Sequence, residues 1–224
     1  MTAGGSTSAD SAAALEQLCR AYWYPLYFHA RGRGLSPHDA EDLIQSFFAF
    51  LLEKAVIARA DRERGRFRTF LLSALENFHA NARARAGSLK RGGGTVIVSF
   101  DEFQAEARYQ HEPSTTLTPE RLFDQKWAAS LLEQVLQILR QEYTAAGKGP
   151  LFDDLRSVLW GGRGEASHAD LARKLGSTEG AVRVAVHRLR LRFKECLQAE
   201  VAHTVVNPDD VNDELRHLLD ALSV

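Results

Sequence analysis

A run of basic side chains recurs at helical spacing in the last quarter of the 224-residue chain. From Arg173 to Lys194 the sequence holds seven basic residues and one acid, Glu179. Cations held on one face of a helix bind the phosphates and base edges of nucleic acids. The pattern is also typical of an αα-hairpin whose charged face is only solvated, so the spacing alone leaves both interpretations open.

A second block mixes the side chains that single-stranded nucleic acid requires. From Lys54 to Arg91 there are ten basic residues and three acids, with aromatic residues and asparagines among them. Cations suit the backbone, aromatic planes suit stacking, and amides suit base edges. A solvated helix end would explain the arginines equally well. It explains Asn77 and Asn81 less well, because asparagine is a weak helix former.

Three acids, Asp39, Glu41 and Asp42, cluster where a helix is predicted to begin. They could form a metal site or a general acid–base pair, or they could simply complement the helix dipole. No histidine or second acidic cluster has matching spacing. The sequence also lacks a nucleotide-binding glycine loop, an HExxH motif and a CxxC motif. We therefore expect neither an enzyme nor a cofactor, and we assign no catalytic residue and no metal ligand.

Apolar residues recur at helical spacing throughout, and no long segment alternates as a strand does, so the predicted class is all-α. Pro25 should kink or restart the first helix, whereas Ser36 and Pro37 should cap and begin the second. Near the basic run, Gly176 should end one helix, and Ser177 or Thr178 should cap the next. The predicted apolar stripe of that next helix is Val182, Val186, Leu189 and Phe193.

Charge and composition divide the chain into segments. Asp101 to Asp124 has net charge −4, and Glu200 to Val224 has net charge −5. We predict two small helical domains joined by a flexible acidic linker, with a helix-turn-helix in the second. The predicted segments are a disordered arm (1–14), a first domain (15–92), a linker (93–121), a second domain (122–200) and an acidic helical extension (201–224).

Three stretches in this order resemble the bacterial sigma-70 family of RNA polymerase sigma factors, of the extracytoplasmic-function type. They are SPHDAEDLIQSFFAFLLE, FRTFLLSALENFHANARAR and SHADLARKLGSTEGAVRVAVHRLR. The resemblance covers roughly residues 15–91 and 122–197. It departs from the family at Phe70, where tryptophan is usual, in the long segment 144–164, and beyond Val201.

The resemblance implies three groups of binding residues. Core RNA polymerase would bind Asp39, Glu41, Asp42 and Gln45. The melted strand of the minus-ten promoter element would contact Asn77, His79, Asn81, Arg83 and Arg85. The double-stranded minus-thirty-five element would contact Ser177, Arg183, Val184, His187 and Arg188.

The resemblance therefore implies a cytoplasmic promoter-specificity subunit whose partners are core polymerase and promoter DNA. An anti-sigma factor or other regulator is a further candidate partner, and deletion of Val206 to Val224 should raise promoter activity. No apolar run approaches the ~20 residues of a membrane span, so no membrane insertion is expected. The alternative is a stand-alone helix-turn-helix regulator with an N-terminal sensing domain, which would bind a palindrome as a dimer without polymerase.

Overall fold

The computed structural model describes residues 19, 21–53, 67–86, 102–110, 117–160, 167–205 and 208–223. These residues are mostly helical and include no strand, in agreement with the predicted all-α class. None of their helices combines the length and apolar composition that crossing a bilayer requires. The helices described are α1 (21–32), α2 (Pro37–Glu53), α3 (Phe67–Ala86), α4 (Glu102–Gln110), α5 (Pro119–Ala145), α6 (Gly149–Arg156), α7 (His168–Lys174), α8 (Glu179–Ala202) and α9 (Val211–Leu222).

The chain divides into two compact units. Unit 1 comprises Met1–Ser130 and Ala202–Val224, and unit 2 comprises Leu131–Val201. The first division falls within α5, and the second falls just before the last residue of α8. The C-terminal extension therefore belongs to the same unit as α1, α2 and α3.

Aromatic side chains of α1 form much of the core of unit 1. Tyr22 and Tyr27 are fully buried, and the Tyr22 ring meets Phe67 of α3 at 5.8 Å between centroids. The helix continues from residue 21 to residue 32 without a break, so the restart predicted at Pro25 is absent. Further buried residues of this core are Trp23, Leu26, Ile44, Phe47, Leu51, Leu71, Leu75 and Trp127.

The turn from α1 to α2 follows the predicted capping chemistry. Gly34 has φ +87°, and Leu35 donates a backbone hydrogen bond to the Ala30 carbonyl, which closes the end of α1. Pro37 begins α2, and the Asp39 backbone N–H donates to Ser36 Oγ at 3.1 Å. Ser36 is therefore the cap that the sequence predicted.

The segment predicted to be a flexible linker contains a helix, α4. Glu106 of α4 accepts two hydrogen bonds of 2.9 Å from Arg31 of α1 and one from the Tyr27 hydroxyl. The Tyr109 ring lies 5.0 Å from that of Phe28. Low apolar content suggested a linker, but α4 docks largely through polar and aromatic contacts that composition does not reveal. The predicted arm (1–14) lies outside the described residues.

Unit 2 packs the second half of α5, α6, α7 and α8 around one apolar core. Gly149 and Pro150 open α6, and Phe152 and Leu155 turn inward. Each helix contributes side chains to the buried cluster, which includes Val135, Leu139, Phe152, Leu155, Leu171, Val182, Val186 and Leu189. The core fixes the orientation of α7 and α8.

The C-terminal helix α9 packs in unit 1 through part of its apolar surface. Leu218 is fully buried, whereas Leu219 and Leu222 are 61% and 37% exposed. Glu214 of α9 is also buried, and it binds Arg68 of α3. The ion pair turns Glu214 inward, so the buried face of α9 combines a carboxylate with Leu218.

Candidate nucleic-acid interface

Helices α7 and α8 are joined by a tight, well-capped turn. Ser167 caps α7, with the Asp170 backbone N–H donating to Ser167 Oγ at 3.1 Å. Gly176 has φ +60°, the left-handed conformation that glycine adopts without steric cost. The Ala181 backbone N–H then donates to Thr178 Oγ1 at 3.2 Å, so Thr178, not Ser177, caps α8. Gly176 thus lies in the turn between α7 and α8, where the sequence predicted one helix to end.

The buried stripe of α8 decides which side chains point outward. Val182, Val186 and Leu189 are nearly or fully buried in unit 2, and Phe193 continues the stripe. Side chains on the opposite side of the helix must therefore face solvent. Those of Ser177, Arg183, Val184, His187 and Arg188, the residues predicted to contact double-stranded DNA, are all exposed.

The exposed side of α8 is not purely polar. Val184 and Leu191 are each 50% exposed, and Arg188 lies between them in the helical row, four residues after one and three before the other. A cation flanked by apolar groups suits the major groove, where arginine binds guanine and an apolar side chain meets the thymine methyl. Leu191 was not among the predicted site residues, although its helical spacing from Val184 could have indicated it.

Two arginines counted in the basic run have structural roles. Arg190 donates to the carbonyls of Leu159 at 2.8 Å and Val158 at 3.0 Å. Arg192 binds Glu142 of α5 through two hydrogen bonds of 3.0 and 2.6 Å, which raise the pKa of Arg192 and lower that of Glu142. These arginines join α8 to the rest of unit 2 and contribute little free charge to a ligand.

The remaining cations differ in availability. Arg183 pairs with Glu179 one turn earlier on α8, at 2.5 Å, and both side chains are substantially exposed. Exposed pairs of this kind contribute little stability and exchange readily for another anion. Arg188 and His187 are exposed and make no hydrogen bond or ion pair with the other described residues. Arg188 is therefore the most available guanidinium in the predicted contact set.

The α3 residues predicted to contact the melted strand follow the buried residues of that helix along the chain. Asn77, Asn81 and Arg83 are exposed, and His79 is half-buried. Asn77 and Asn81 are four residues apart and so lie on one face of the helix. Arg85 lies in α3, but its side chain is outside the described part of the structure.

Contacts with α1 fix the orientation of this part of α3. Glu76, next to Asn77, pairs with Arg33, just after α1, and lies 3.4 Å from His29 Nε2 of α1. His29 is buried, and that burial lowers its pKa. Phe78 packs 5.7 Å from the Phe47 ring of α2. The asparagines therefore extend from a helix that is held on both neighbouring sides.

The acidic residues of α2 are not equally accessible. Asp39 accepts a 2.6 Å hydrogen bond from Ser36 Oγ within the helix cap. Asp42 is exposed, and its carboxylate lies 3.5 Å from His38 Nε2. Glu41 and Gln45 are half-buried. Asp42 is thus the most accessible acid of this group, and Asp39 has a local structural role as well.

In the described parts of the chain, no three histidine, cysteine or acidic side chains are grouped so that they could hold a metal ion. The polar groups of α2 and α3 belong to unit 1, and those of α8 belong to unit 2. No protein-family model matches the sequence, and neither a curated protein nor a solved structure shows significant similarity to the chain. Function must therefore be inferred from the residues and their geometry.

Sequence reasoning missed the role of Arg68, which it counted only as part of the basic block. This residue is 3% exposed and binds acids from α5 and α9. A signal was present, because Arg68 precedes Leu71 and Leu75 by three and seven residues and so shares the buried face of α3.

Proposed function

We propose that the chain is a promoter-specificity subunit of the sigma-70 type, which joins core RNA polymerase and directs it to promoter DNA. The exposed side of α8 would contact the double-stranded minus-thirty-five element. The exposed end of α3 would contact the melted minus-ten strand, and the acidic side of α2 would bind polymerase. Such a subunit works beside polymerase, so the proposed location is the cytoplasm.

The observation that carries the proposal is the sorting of cations on α8. Arg190 and Arg192 are engaged within unit 2, while Arg188, His187 and Val184 are left on the exposed side. They lie in the N-terminal half of α8, the part of a recognition helix that contacts base edges. The exposed apolar residues Val184 and Leu191 beside Arg188 favour a DNA contact over a merely solvated helix face.

The α3 and α2 groups support the remaining two steps. Two exposed amides one helical turn apart, followed by Arg83, offer base-edge and backbone contacts to an unstacked strand. Asp42 offers an exposed carboxylate on an anchored helix, which suits a basic protein surface. Each interface is small, so we expect tight promoter binding only when polymerase holds both units on one DNA.

The deciding experiment combines the purified chain with core polymerase, tests co-purification, and maps transcription start sites on genomic DNA. We expect a stable complex and a defined set of starts that core enzyme alone does not produce. Asp42→Lys should weaken co-purification, whereas Asp213→Lys, which alters an exposed acid of α9, should not. If the chain fails to bind core enzyme but binds a palindrome as a dimer, it is a stand-alone regulator instead.

A further inference from the structure

A buried charge cluster joins three helices of unit 1. Arg68 of α3 donates from Nε to Asp124 of α5 at 2.7 Å and from Nη1 to Glu214 of α9. Its guanidinium also lies over the Trp127 ring, 4.7 Å from the centroid. The Arg68 and Glu214 side chains are only 3% and 5% exposed. The proposed function uses none of these residues.

Helix α9 is attached through a narrow face. Of its twelve residues, Glu214 and Leu218 are the two that are buried. They are four residues apart and therefore neighbours on the helix surface. Leu219 and Leu222 remain exposed. Val211, Leu215, His217 and Ala221 are half-buried, so the fully buried part of the attachment is one carboxylate and one leucine, one turn apart.

The contact between α9 and α5 leaves a gap at its edge. A polar pocket of about 230 Å³, partly open to solvent, lies there. Such a pocket can admit water, as exchangeable interfaces commonly do. The residues lining the pocket are Arg68, Leu117, Arg121, Asp124, His217, Asp220 and Ala221.

Departure of α9 would not leave Arg68 uncompensated. Asp124 and Trp127 both belong to α5, so Arg68 keeps one ion pair and its aromatic contact when Glu214 leaves. A buried charge that loses its sole partner is strongly destabilising, but this charge has a second partner in place. Unit 1 can therefore tolerate exchange of the helix that covers Arg68.

We propose that α3 and the first half of α5 form a binding groove for an acidic amphipathic helix, which α9 occupies reversibly. The ligand chemistry follows from the contacts of α9: a carboxylate facing Arg68 and a leucine four residues later. A partner protein with such a helix would displace α9 and bind the same groove. Because α9 is tethered, it acts at an effective concentration of roughly millimolar. A partner must therefore bind the groove tightly enough to compete with α9 at that concentration.

The first test measures native-state hydrogen exchange along the full-length chain. We expect the α9 amides to exchange through an opening that leaves the α3 amides protected. Glu214→Gln should speed α9 exchange about tenfold or more, the effect of weakening one charge-assisted hydrogen bond, and should leave α3 unchanged. Asp213→Asn is the matched control, because Asp213 is an exposed acid paired with Arg216 on the same helix.

The second test adds a fluorescent peptide of residues 206–224 to the full-length protein. Because Glu214→Gln opens the groove more often, the peptide should bind that variant about tenfold more tightly than the unmodified chain. A peptide carrying the Glu214→Gln change should lose this binding. The proposal is overturned if α9 and α3 open in one cooperative step, or if the peptide does not bind the Glu214→Gln protein.

Discussion

Helices α3 and α8 both carry arginines beside a buried apolar stripe, yet the two helices use them differently. On α3, Arg68 lies inside unit 1 and holds acids from two other helices. On α8, Arg190 and Arg192 bind neighbouring segments of unit 2, and Arg188 faces solvent. Arginines that look alike in the sequence thus occupy three kinds of position: buried in the core, bound to neighbouring segments, and exposed to a ligand.

Angular position relative to the stripe explains the difference. At about 100° per residue, Arg188 is about 200° from Val186 and therefore on the far side of α8, whereas Arg190 is about 40° from it. Arg68 lies on the stripe itself, three residues before Leu71. For Arg68, Arg190 and Arg188, nearness to the stripe goes with a guanidinium that is satisfied inside the protein.

Arg68→Ala should give the largest loss of stability among the arginine variants. It removes two ion pairs and the contact with Trp127. Breaking a buried ion pair typically costs about 3–5 kcal/mol. We expect the lower end, about 3 kcal/mol, because Glu214 can reach water when α9 leaves.

Urea unfolding would measure that loss, with Arg83→Ala as the control on the same helix. Arg83 is exposed, and its removal should change the free energy of unfolding by less than about 0.5 kcal/mol. Equal effects of the two variants would contradict the buried role of Arg68.

Arg188→Ala should affect DNA binding without affecting folding. If the proposed function holds and Arg188 contacts a guanine, its loss should weaken binding of the complex with polymerase to promoter DNA by about 1–3 kcal/mol. Filter binding or transcription at several salt concentrations would measure the effect. Arg156→Ala, an exposed arginine of α6, is the control and should leave promoter binding nearly unchanged. A uniform loss over all DNA sequences would indicate a phosphate contact instead.

Arg190→Ala should show the opposite behaviour to Arg188→Ala. It leaves the carbonyls of Val158 and Leu159 without their guanidinium donor, so unit 2 should lose about 1–2 kcal/mol. DNA affinity per folded molecule should stay close to that of the unmodified chain. Thermal unfolding would measure the loss of stability, and promoter binding would measure the DNA affinity. A larger effect on DNA than on stability would place Arg190 in the interface and remove the distinction drawn between the two arginines.

Local sequence signals predicted much of the fold. Ser36, Gly176 and the stripe beginning at Val182 behave as their types and spacing indicate, because caps, turns and stripes depend on neighbours within a few residues. The exposure of Arg188 and Val184 follows from the same stripe. Spacing alone could not choose between Ser177 and Thr178 as the cap of α8, because both are capping residue types at adjacent positions.

Local signals could not predict which arginines bind acids inside the protein, because those acids are far away along the chain. Arg192 binds Glu142, 50 positions earlier, and Arg68 binds Glu214, 146 positions later. Composition likewise suggested a linker where α4 forms, since its docking depends on Arg31, more than 70 positions before Glu106. Such pairings are set by tertiary packing, which overrides the local preference of a charged segment for solvent.

Arg31 of α1 binds Glu106 of α4, and the pH dependence of the α4 contact should reveal this ion pair. Hydrogen bonds from Arg31 hold the pKa of Glu106 at about 2, below its ordinary 4.5. Because the folded-state pKa is the lower one, the contribution of Glu106 is complete above about pH 4.5 and is lost as pH falls toward 2. Amide NMR signals of α4 should shift over that window in the unmodified chain. In Glu106→Gln the α4 helix should be loosened at all pH values and should lack this step; an unchanged pH profile would show that another group attaches α4 to α1.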